Sequence, residues 1–400
     1  MQGNTANRDL PRAARARVTE VLQELVRIPS VNPALPGGTG EADLADYVDR
    51  FLRKAGLASA RQRVAAGRDN VIGLLPGLDP AALLLEAHMD TVQTGGMTID
   101  PHGASIANGR LYGRGACDTK ASLAAMLVAL ETVAHSGWTP PRAVRLAAVV
   151  DEEVNYTGVS ALAAQVAAGE LPCSGAVVGE PTGLELIAAH KGCVRFRVET
   201  HGTAGHSSEP EAAVNAIEGM AVVIDCLRAW ARDVYPALRH PFVGPPTHCI
   251  SMIEGGIAPN TVPESCLITI DRRTVPGEEP QQAYAALAER LHRLAGEVSG
   301  LRLTVHPPFL IDYAMAAPQD AAVVRDLRAA ALWHGAAGLV RGAAYGSDAS
   351  KLARVGVPSV VFGPGRIAQA HTEDEWVELE EVAVAADILI RLILTEPGAV

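Results

Sequence analysis

Residues 143–153 read AVRLAAVVDEE, a stretch that is apolar except for Arg145 and ends in three adjacent carboxylates. Its apolar run at 147–150 predicts the end of a buried strand over 143–150, because strands covered on both faces are largely hydrophobic. Three neighbouring carboxylates at the end of a buried strand repel one another unless a cation or solvent relieves them. In open α/β sheets, ligands bind beyond the carboxyl ends of the strands. The stretch therefore indicates an α/β fold with a metal or acid–base site at the sheet edge.

Three more apolar runs are followed by a side chain that can bind a metal. The run 83–85 leads to His88, the run 176–179 ends at Glu180, and the run 359–363 precedes a loop that carries His371. Each of these residues taken alone is explained equally well as a solvated side chain after a strand. Together with 151–153 they favour a metal centre, since the ends of such strands meet at one sheet edge.

The order of the predicted elements indicates two domains, which a chain of 400 residues also favours. Helices at 12–29 and 41–55 precede strands near 70–75, 83–87, 143–150 and 176–179, which alternate with helices at 119–135 and 157–168. This alternation predicts a mostly parallel sheet with helices on both faces. From residue 192 the order is strand, helix (210–232), two strands (247–254 and 264–271), helix (280–297) and strand (301–306), which is the ferredoxin-like α+β unit. The α/β pattern resumes after Pro307 and closes with a helix at 378–395. We therefore predict a catalytic domain formed by 1–190 and 308–400, with 191–307 inserted.

Composition excludes several classes of protein. The chain is 48% hydrophobic and 20% charged, as a globular enzyme is, and its net charge of −11 argues against a nucleic-acid partner. No apolar segment is long enough to suggest a membrane span, and residues 1–11 contain no signal-peptide core. The six cysteines show no CxxC spacing and are typical of reduced thiols in a cytoplasmic protein.

Two motifs leave alternatives open. In His88-Met89-Asp90, strand alternation puts both polar side chains on one side, so Asp90 could accept the second imidazole N–H and orient the ring. In Gly113-Arg114-Gly115-Ala116-Cys117-Asp118, Asp118 precedes the helix at 119–135. Asp118 could cap that helix or bind a metal, and these residues alone favour the cap.

With these motifs in this order, the chain resembles the M20 family of binuclear zinc amidohydrolases over nearly its whole length. The resemblance implies terminal metal ligands at His88, Glu153, Glu180 and His371, and a bridging carboxylate at Asp118. It also implies Asp90 as the orienting residue and Glu152 as the general base. In the inserted domain, His206 of Gly205-His206-Ser207-Ser208 matches a lid histidine that commonly reaches the active site of the partner subunit. Further matches imply that Asn260, Arg273 and Ser347 bind substrate. Arg272 is a neighbouring candidate, and Arg273 could instead pair with Asp271. A plain turn explains Gly346-Ser347-Asp348 nearly as well as a substrate loop does.

The resemblance also implies an activity. Two divalent metal ions per chain are expected, with Zn²⁺ first and Co²⁺ or Mn²⁺ open to the same ligand set. The stretches Gly179-Glu180-Pro181-Thr182 and Ala370-His371-Thr372 are similar to the acetylornithine deacetylase and desuccinylase branch. We therefore expect a cytoplasmic homodimer that removes an acyl group from an N-acyl amino acid. The alternatives are a metallo-carboxypeptidase or dipeptidase of the same family, and a homologue that only binds. Loss of the base or of a metal ligand would indicate a homologue that only binds, and this sequence contains Glu152 and all the expected ligands.

Overall fold

A computed structural model describes residues 10–398 of the chain. The prediction that residues 1–11 contain no signal-peptide core concerns mainly residues 1–9, which lie outside the described residues. The helices within the described part are α1 (Arg15–Arg27), α2 (Ala42–Lys54), α3 (Lys120–His135), α4 (Thr157–Ala167), α5 (Ala216–Val234), α6 (Pro280–Glu297), α7 (Ala322–Trp333), α8 (Ala349–Arg354) and α9 (Leu379–Leu394).

The strands within the described residues are, in chain order, β1 (Ala58–Ala65), β2 (Arg68–Leu75), β3 (Asp79–His88), β4 (Ser105–Ala107), β5 (Arg110–Tyr112), β6 (Arg142–Val149), β7 (Cys173–Val178), β8 (Leu186–His190), β9 (Gly192–His201), β10 (Gly205–His206), β11 (Thr247–Gly255), β12 (Thr261–Val262), β13 (Ser265–Thr274), β14 (Arg302–Val305), β15 (Leu310–Asp312), β16 (Met315–Ala316), β17 (Val340–Ala343), β18 (Ser359–Val361) and β19 (Trp376–Glu378).

The chain divides into two compact units. The first contains the chain up to Ala188, Ala317–Arg341 and the chain from Ser347 onward, and the second contains Ala189–Ala316 and Gly342–Gly346. The domain boundaries at 190/191 and 307/308 stay predictions of the sequence.

The first unit is built on a mixed sheet with the strand order β1-β2-β6-β3-β7-β18-β8. Its four central strands, β6, β3, β7 and β18, run parallel to one another. On the two sides of this core, β2 pairs antiparallel with β6 and β8 pairs antiparallel with β18, and β1 in turn pairs antiparallel with β2. The predicted α/β fold with a mostly parallel sheet is confirmed, and the parallel core consists of the four strands whose ends carry the candidate ligands.

Both faces of this sheet are covered, because β3 is buried at every residue from Ala82 to His88. Helix α3 is rich in Ala and Leu, which favour helix, and almost all of its residues are buried. It packs against both α1 and α9. A three-stranded sheet of order β19-β5-β4 lies apart from the main one, and β5 leads directly into the loop that carries Asp118.

The second unit contains an antiparallel sheet of order β11-β13-β9-β14, with α5 and α6 packed on it. This order is that of a split β-α-β-β-α-β unit and confirms the predicted ferredoxin-like architecture. Alternate residues of β9 (Val194, Phe196 and Val198) form the core with Ile268 and Ile270 of β13. The charged residues between them lie on the opposite face.

Two predicted helices differ from the observed ones at their ends. The helix predicted at 210–232 begins at Ala216, because the side chain of Asn215 caps it by accepting N–H bonds from Ile217 and Glu218. Residues Pro210–Ala212 form a separate 3₁₀ turn. Helix α1 ends at Arg27 and not at residue 29, since Ile28 precedes Pro29 and takes an extended conformation. In residues 10–398 no helix combines the length and apolar character needed to cross a membrane.

Candidate metal centre

The ends of the four parallel strands bring the candidate ligands to one edge of the sheet. His88 is the last residue of β3, and Glu152 and Glu153 follow β6 after a short turn. Glu180 comes two residues after β7, and His371 lies in the loop between β18 and β19. Two groups of ligand atoms lie within 4.8 Å of one another, namely those of His88, Asp118 and Glu153 and those of His88, Glu152 and Glu180.

Asp118 lies between the two histidines. Its Oδ1 is 3.1 Å from Nε2 of His88, and its Oδ2 is 3.2 Å from Nε2 of His371. The Oε1 of Glu153 is 3.2 Å from the same His371 nitrogen, and Oε1 of Glu180 is 3.9 Å from Nε2 of His88. The interpretation of Asp118 as a helix cap is wrong: Thr119 is the N-cap of α3, and no side-chain cap bond is present.

The charges of these residues fit two cations. Burial raises the pKa of Glu180 well above its usual range, and the charge of Asp118 adds to this effect. Burial likewise raises the pKa of Glu152, with Asp348 and Glu153 contributing. Burial opposes the ionisation of Asp118, but hydrogen bonds from His371 and His88 outweigh it and lower its pKa. Several buried carboxylates that face two imidazoles carry more negative charge than a protein interior tolerates without cations.

The donor set also suits divalent metals, because imidazole nitrogen and carboxylate oxygen are ligands of Zn²⁺, Co²⁺ and Mn²⁺. The side chain of His371 is 49% exposed, whereas that of His88 is 2% exposed. Hydrogen bonds to Asp118 and Glu153 raise the pKa of His371 to about 10. The His88 side of the candidate centre is therefore buried in the first unit, whereas the His371 side is exposed at the surface of that unit.

Asp90 orients the ring of His88 with its backbone rather than with its carboxylate. The Nδ1 atom of His88 lies 2.8 Å from the carbonyl oxygen of Asp90 and 3.6 Å from Oδ1. The carboxylate accepts N–H bonds from the backbone of Glu152 (3.0 Å) and Glu153 (3.1 Å). Asp90 therefore fixes two neighbouring groups at once, the His88 tautomer and the turn that carries Glu152.

A buried network behind Asp90 was not predicted from the sequence. The amide nitrogen of Asn32 donates to Oδ2 of Asp90 (2.7 Å) and to Oδ1 of Asp151 (2.9 Å). Nη1 of Arg68 lies 3.2 Å from Oδ1 of Asp151, and Arg68 also pairs with the fully buried Glu41. Asp151 has a left-handed backbone with φ of 68°, which these partners hold in place. No sequence signal identified Asn32, which lies in a loop far from the motifs.

Two further buried carboxylates, Glu86 and Asp348, lie near the centre. Burial raises the pKa of Glu86 well above its usual range, and the charge of Asp348 adds to it. Burial raises the pKa of Asp348 to about 6. The sequence does carry a signal for Glu86, which is a lone carboxylate inside the apolar run that forms the end of β3.

His206 and Asn260 lie in the second unit, on neighbouring segments. The backbone N–H of Ser207 donates to the carbonyl oxygen of Asn260 (3.1 Å), and His206 itself belongs to the short β10–β12 pair. The backbone N–H of Ser208 donates to Nδ1 of the exposed His206 (3.2 Å). An accepting Nδ1 places the imidazole proton on Nε2, which makes that atom a hydrogen-bond donor.

The two adjacent arginines of β13 have different environments. The side chain of Arg273 is 30% exposed and pairs with Asp271 at 2.7 Å, which is the local salt bridge considered from the sequence. Arg272 is buried, pairs with Glu278 and lies over the ring of Tyr235. In the first unit, Ser347 is fully buried, and its hydroxyl accepts the N–H of Ala349 at the start of α8. This position is that of a structural turn, so substrate binding by Ser347 stays a prediction.

Known proteins resemble this chain along most of its length. Residues 84–395 match the sequence profile of Peptidase family M20/M25/M40. The acetylornithine deacetylase of Myxococcus xanthus is 30% identical over 392 residues, which cover 95% of this chain and 97% of that protein. The acetylornithine deacetylase of Proteus mirabilis is 31% identical over 385 residues, which cover 94% of this chain and 95% of that protein.

Two solved structures share the fold at lower identity. A tripeptidase from Staphylococcus aureus has a TM-score of 0.79 at 20% identity and covers 95% of this chain and 98% of its own. An M20 family metallo-carboxypeptidase from Sulfolobus solfataricus has a TM-score of 0.75 at 18% identity, with coverage of 94% and 98%. The profile match and the relatives at 30% identity establish more than a shared fold: the chain belongs to peptidase family M20/M25/M40 and is a metallohydrolase of that family.

Proposed function

We propose that the protein is a binuclear-metal amidohydrolase that removes an acyl group from an N-acyl amino acid. The observation that carries this proposal is the position of Asp118, whose two oxygens each face a different imidazole at 3.1 and 3.2 Å. A carboxylate with one oxygen directed toward each histidine has the geometry required to bridge two cations. The substrate class is supported by the two acetylornithine deacetylases to which the chain is similar.

His88, Glu180 and Asp118 would hold one metal ion, and His371, Glu153 and Asp118 would hold the other. These groupings follow the distances, because Glu180 is the carboxylate on the His88 side and Glu153 the one that contacts His371. When bound, two Zn²⁺ ions (or Co²⁺ or Mn²⁺) supply Lewis acidity to the amide carbonyl and lower the pKa of water.

Glu152 is positioned to move the proton. Burial and the neighbouring carboxylates raise its pKa, which brings a carboxyl group closer to the range in which it both accepts and releases a proton near neutral pH. Asp90 holds the backbone N–H of Glu152, so the turn that presents this side chain is fixed. Glu152 would take a proton from the attacking water and deliver it to the nitrogen of the leaving amine.

His206 would donate from Nε2 to the oxygen that becomes negative in the transition state. The N–H of Ser208 on Nδ1 supports this role, since it leaves the proton on Nε2. Arg273 and Asn260 would bind the free carboxylate of the substrate. We also propose that the protein is a cytoplasmic homodimer, joined through the second unit, in which His206 serves the partner's active site.

The variant Glu152→Gln tests the role of the base. We expect it to retain two metals per chain while turnover falls by about 10²–10⁴-fold, which is the usual contribution of a general base. Elemental analysis and kcat on a panel of N-acetyl, N-succinyl and N-formyl amino acids would measure both quantities. The exposed Glu170, which lies just after α4, supplies a matched control in Glu170→Gln.

An unchanged kcat in Glu152→Gln would refute Glu152 as the base. An active wild-type enzyme without any metal would refute the metal centre itself. Dipeptides belong in the same panel, because faster turnover of dipeptides than of N-acyl amino acids would favour the peptidase alternative.

A further inference from the structure

The side chain of Glu375 is fully buried and accepts hydrogen bonds from four donors. Its Oε1 accepts the backbone N–H groups of Cys117 (2.7 Å) and Asp118 (2.9 Å). Its Oε2 accepts the backbone N–H of Gly115 (3.0 Å) and Nη1 of Arg114 (2.8 Å). All four donors belong to the loop at residues 113–118, which we call the Asp118 loop, and three of them are backbone N–H groups.

The sequence of the Asp118 loop allows its N–H groups to converge on one carboxylate. Gly115 has a φ of 81°, and a Cβ at this position would lie 2.9 Å from atoms of Lys120 and Thr91. A glycine is therefore required there, both for the backbone conformation and for space. The loop begins where β5 ends and faces Glu375 because β5 pairs with β19, in which Tyr112 lies opposite Trp376.

Glu375 also belongs to the segment that carries His371. The two residues are four positions apart, and Arg114 reaches both ends of this segment, since its Nη2 donates to the carbonyl oxygen of Thr372 (3.4 Å). His371 has a left-handed backbone with φ of 57°, a conformation that a non-glycine residue keeps only when its surroundings hold it. One carboxylate thus fixes the backbone of Asp118 and anchors the loop that presents His371.

We propose that Glu375 is a positioning residue of the metal centre, which sets the affinity of the metal held by His371, Glu153 and Asp118. This inference rests on the metal centre of the proposed function. The site on the His88 side depends less on Glu375, because His88 lies on the central strand β3 and is fixed by the sheet and by the carbonyl oxygen of Asp90.

The variant Glu375→Gln changes the donors and acceptors without changing the volume. Its single oxygen can keep two of the four hydrogen bonds, while its NH₂ group would face two donors. Residues that orient metal ligands typically change metal affinity by 10–100-fold when substituted. We therefore expect the dissociation constant of one of the two metals to rise by about 10–100-fold and the other to change by only a few-fold.

Titration of the metal-stripped full-length protein with Zn²⁺ against a competing chelator would measure both dissociation constants. Circular dichroism at the same temperature would establish that each variant is folded. Glu373→Gln is the matched control, because Glu373 is exposed in the same segment and should leave both constants unchanged. If Glu375→Gln does not fold, Glu375→Asp keeps the charge with a shorter reach and should show the same selective change at smaller size.

A double-mutant cycle identifies which site is affected. In a His371→Ala background the second site is already lost, so adding Glu375→Gln should change the remaining dissociation constant by only a few-fold. If Glu375→Gln weakened the binding of both metals equally, or weakened neither, the proposal would be overturned while the proposed function stayed intact. A wild-type protein that binds fewer than two metals would overturn the proposed function and this inference together.

Discussion

The Asp118 loop and the turn at 151–153, which we call the Glu152 turn, are both fixed by a buried carboxylate. Asp90 accepts the N–H groups of Glu152 and Glu153, and Glu375 accepts those of Gly115, Cys117 and Asp118. The Glu152 turn has a second support, because it follows β6, which pairs in parallel with β3 in the main sheet. The Asp118 loop connects β5 to a helix and has no strand of the main sheet on either side.

This difference shows two ways of fixing a candidate site residue. The register of β3 and β6 already places Glu152 near His88, and Asp90 refines that position. The position of the Asp118 loop depends on the side chain of Glu375, which lies 260 residues after Gly115 in the chain. We therefore expect loss of the Glu375 carboxylate to weaken metal binding more than loss of the Asp90 carboxylate, because the main sheet still supports the Glu152 turn when Asp90 is changed.

The largest effect is expected from Asp118→Asn. An amide has one oxygen where the carboxylate has two, so it cannot face both histidines as a bridging ligand. We expect metal content to fall from two ions to one or none, and kcat to fall by more than about 10³-fold, since a catalytic metal supplies several kcal/mol at ~1.4 kcal/mol per factor of ten. Elemental analysis and steady-state kinetics measure these quantities. The control is Asp374→Asn, because Asp374 lies near the surface and contacts Thr98. If Asp118→Asn still bound two metals, the bridging role would be contradicted.

A smaller effect is expected from Asp90→Asn. The carbonyl oxygen that orients His88 is unchanged, but one of the carboxylate oxygens that hold the Glu152 turn becomes an NH₂ group. We expect kcat to fall by about 10–100-fold while both metals stay bound at saturating Zn²⁺. The same chelator titration used for Glu375→Gln measures the metal affinities. Metal loss as large as that in Glu375→Gln would remove the distinction between the two carboxylates.

The smallest effect is expected from Asn32→Ala. This change removes the amide that donates to Asp90 and Asp151, and it leaves two buried carboxylates short of a donor. We expect the free energy of unfolding to fall by about 1–3 kcal/mol, with a smaller loss of kcat than in Asp90→Asn. Urea denaturation measures the first and steady-state kinetics the second. Stability equal to that of the wild type would show that Arg68 and solvent replace the amide.

Much of the fold follows from local patterns. The strands predicted from the apolar runs that precede the candidate ligands became the parallel core β6-β3-β7-β18, because residues buried on both faces must be apolar. The short strands β4, β5, β10, β12 and β19 were not predicted, since two or three residues carry no readable period. The start of α5 was misplaced because Asn215 was not recognised as its cap.

The sequence by itself determined the fold class, the family resemblance and the candidate ligands at the strand ends, because a buried strand and its terminal polar residue are adjacent in the chain. Tertiary structure alone decided the geometry of Asp118. In the sequence this residue precedes α3 and is a candidate helix cap, and only the fold places it between His88 and His371. It also decided the contacts of Glu375 and Asn32, which join segments far apart in the chain. Hydrogen bonds between such distant segments leave no local pattern, since they depend on strand pairing and burial rather than on spacing in the sequence.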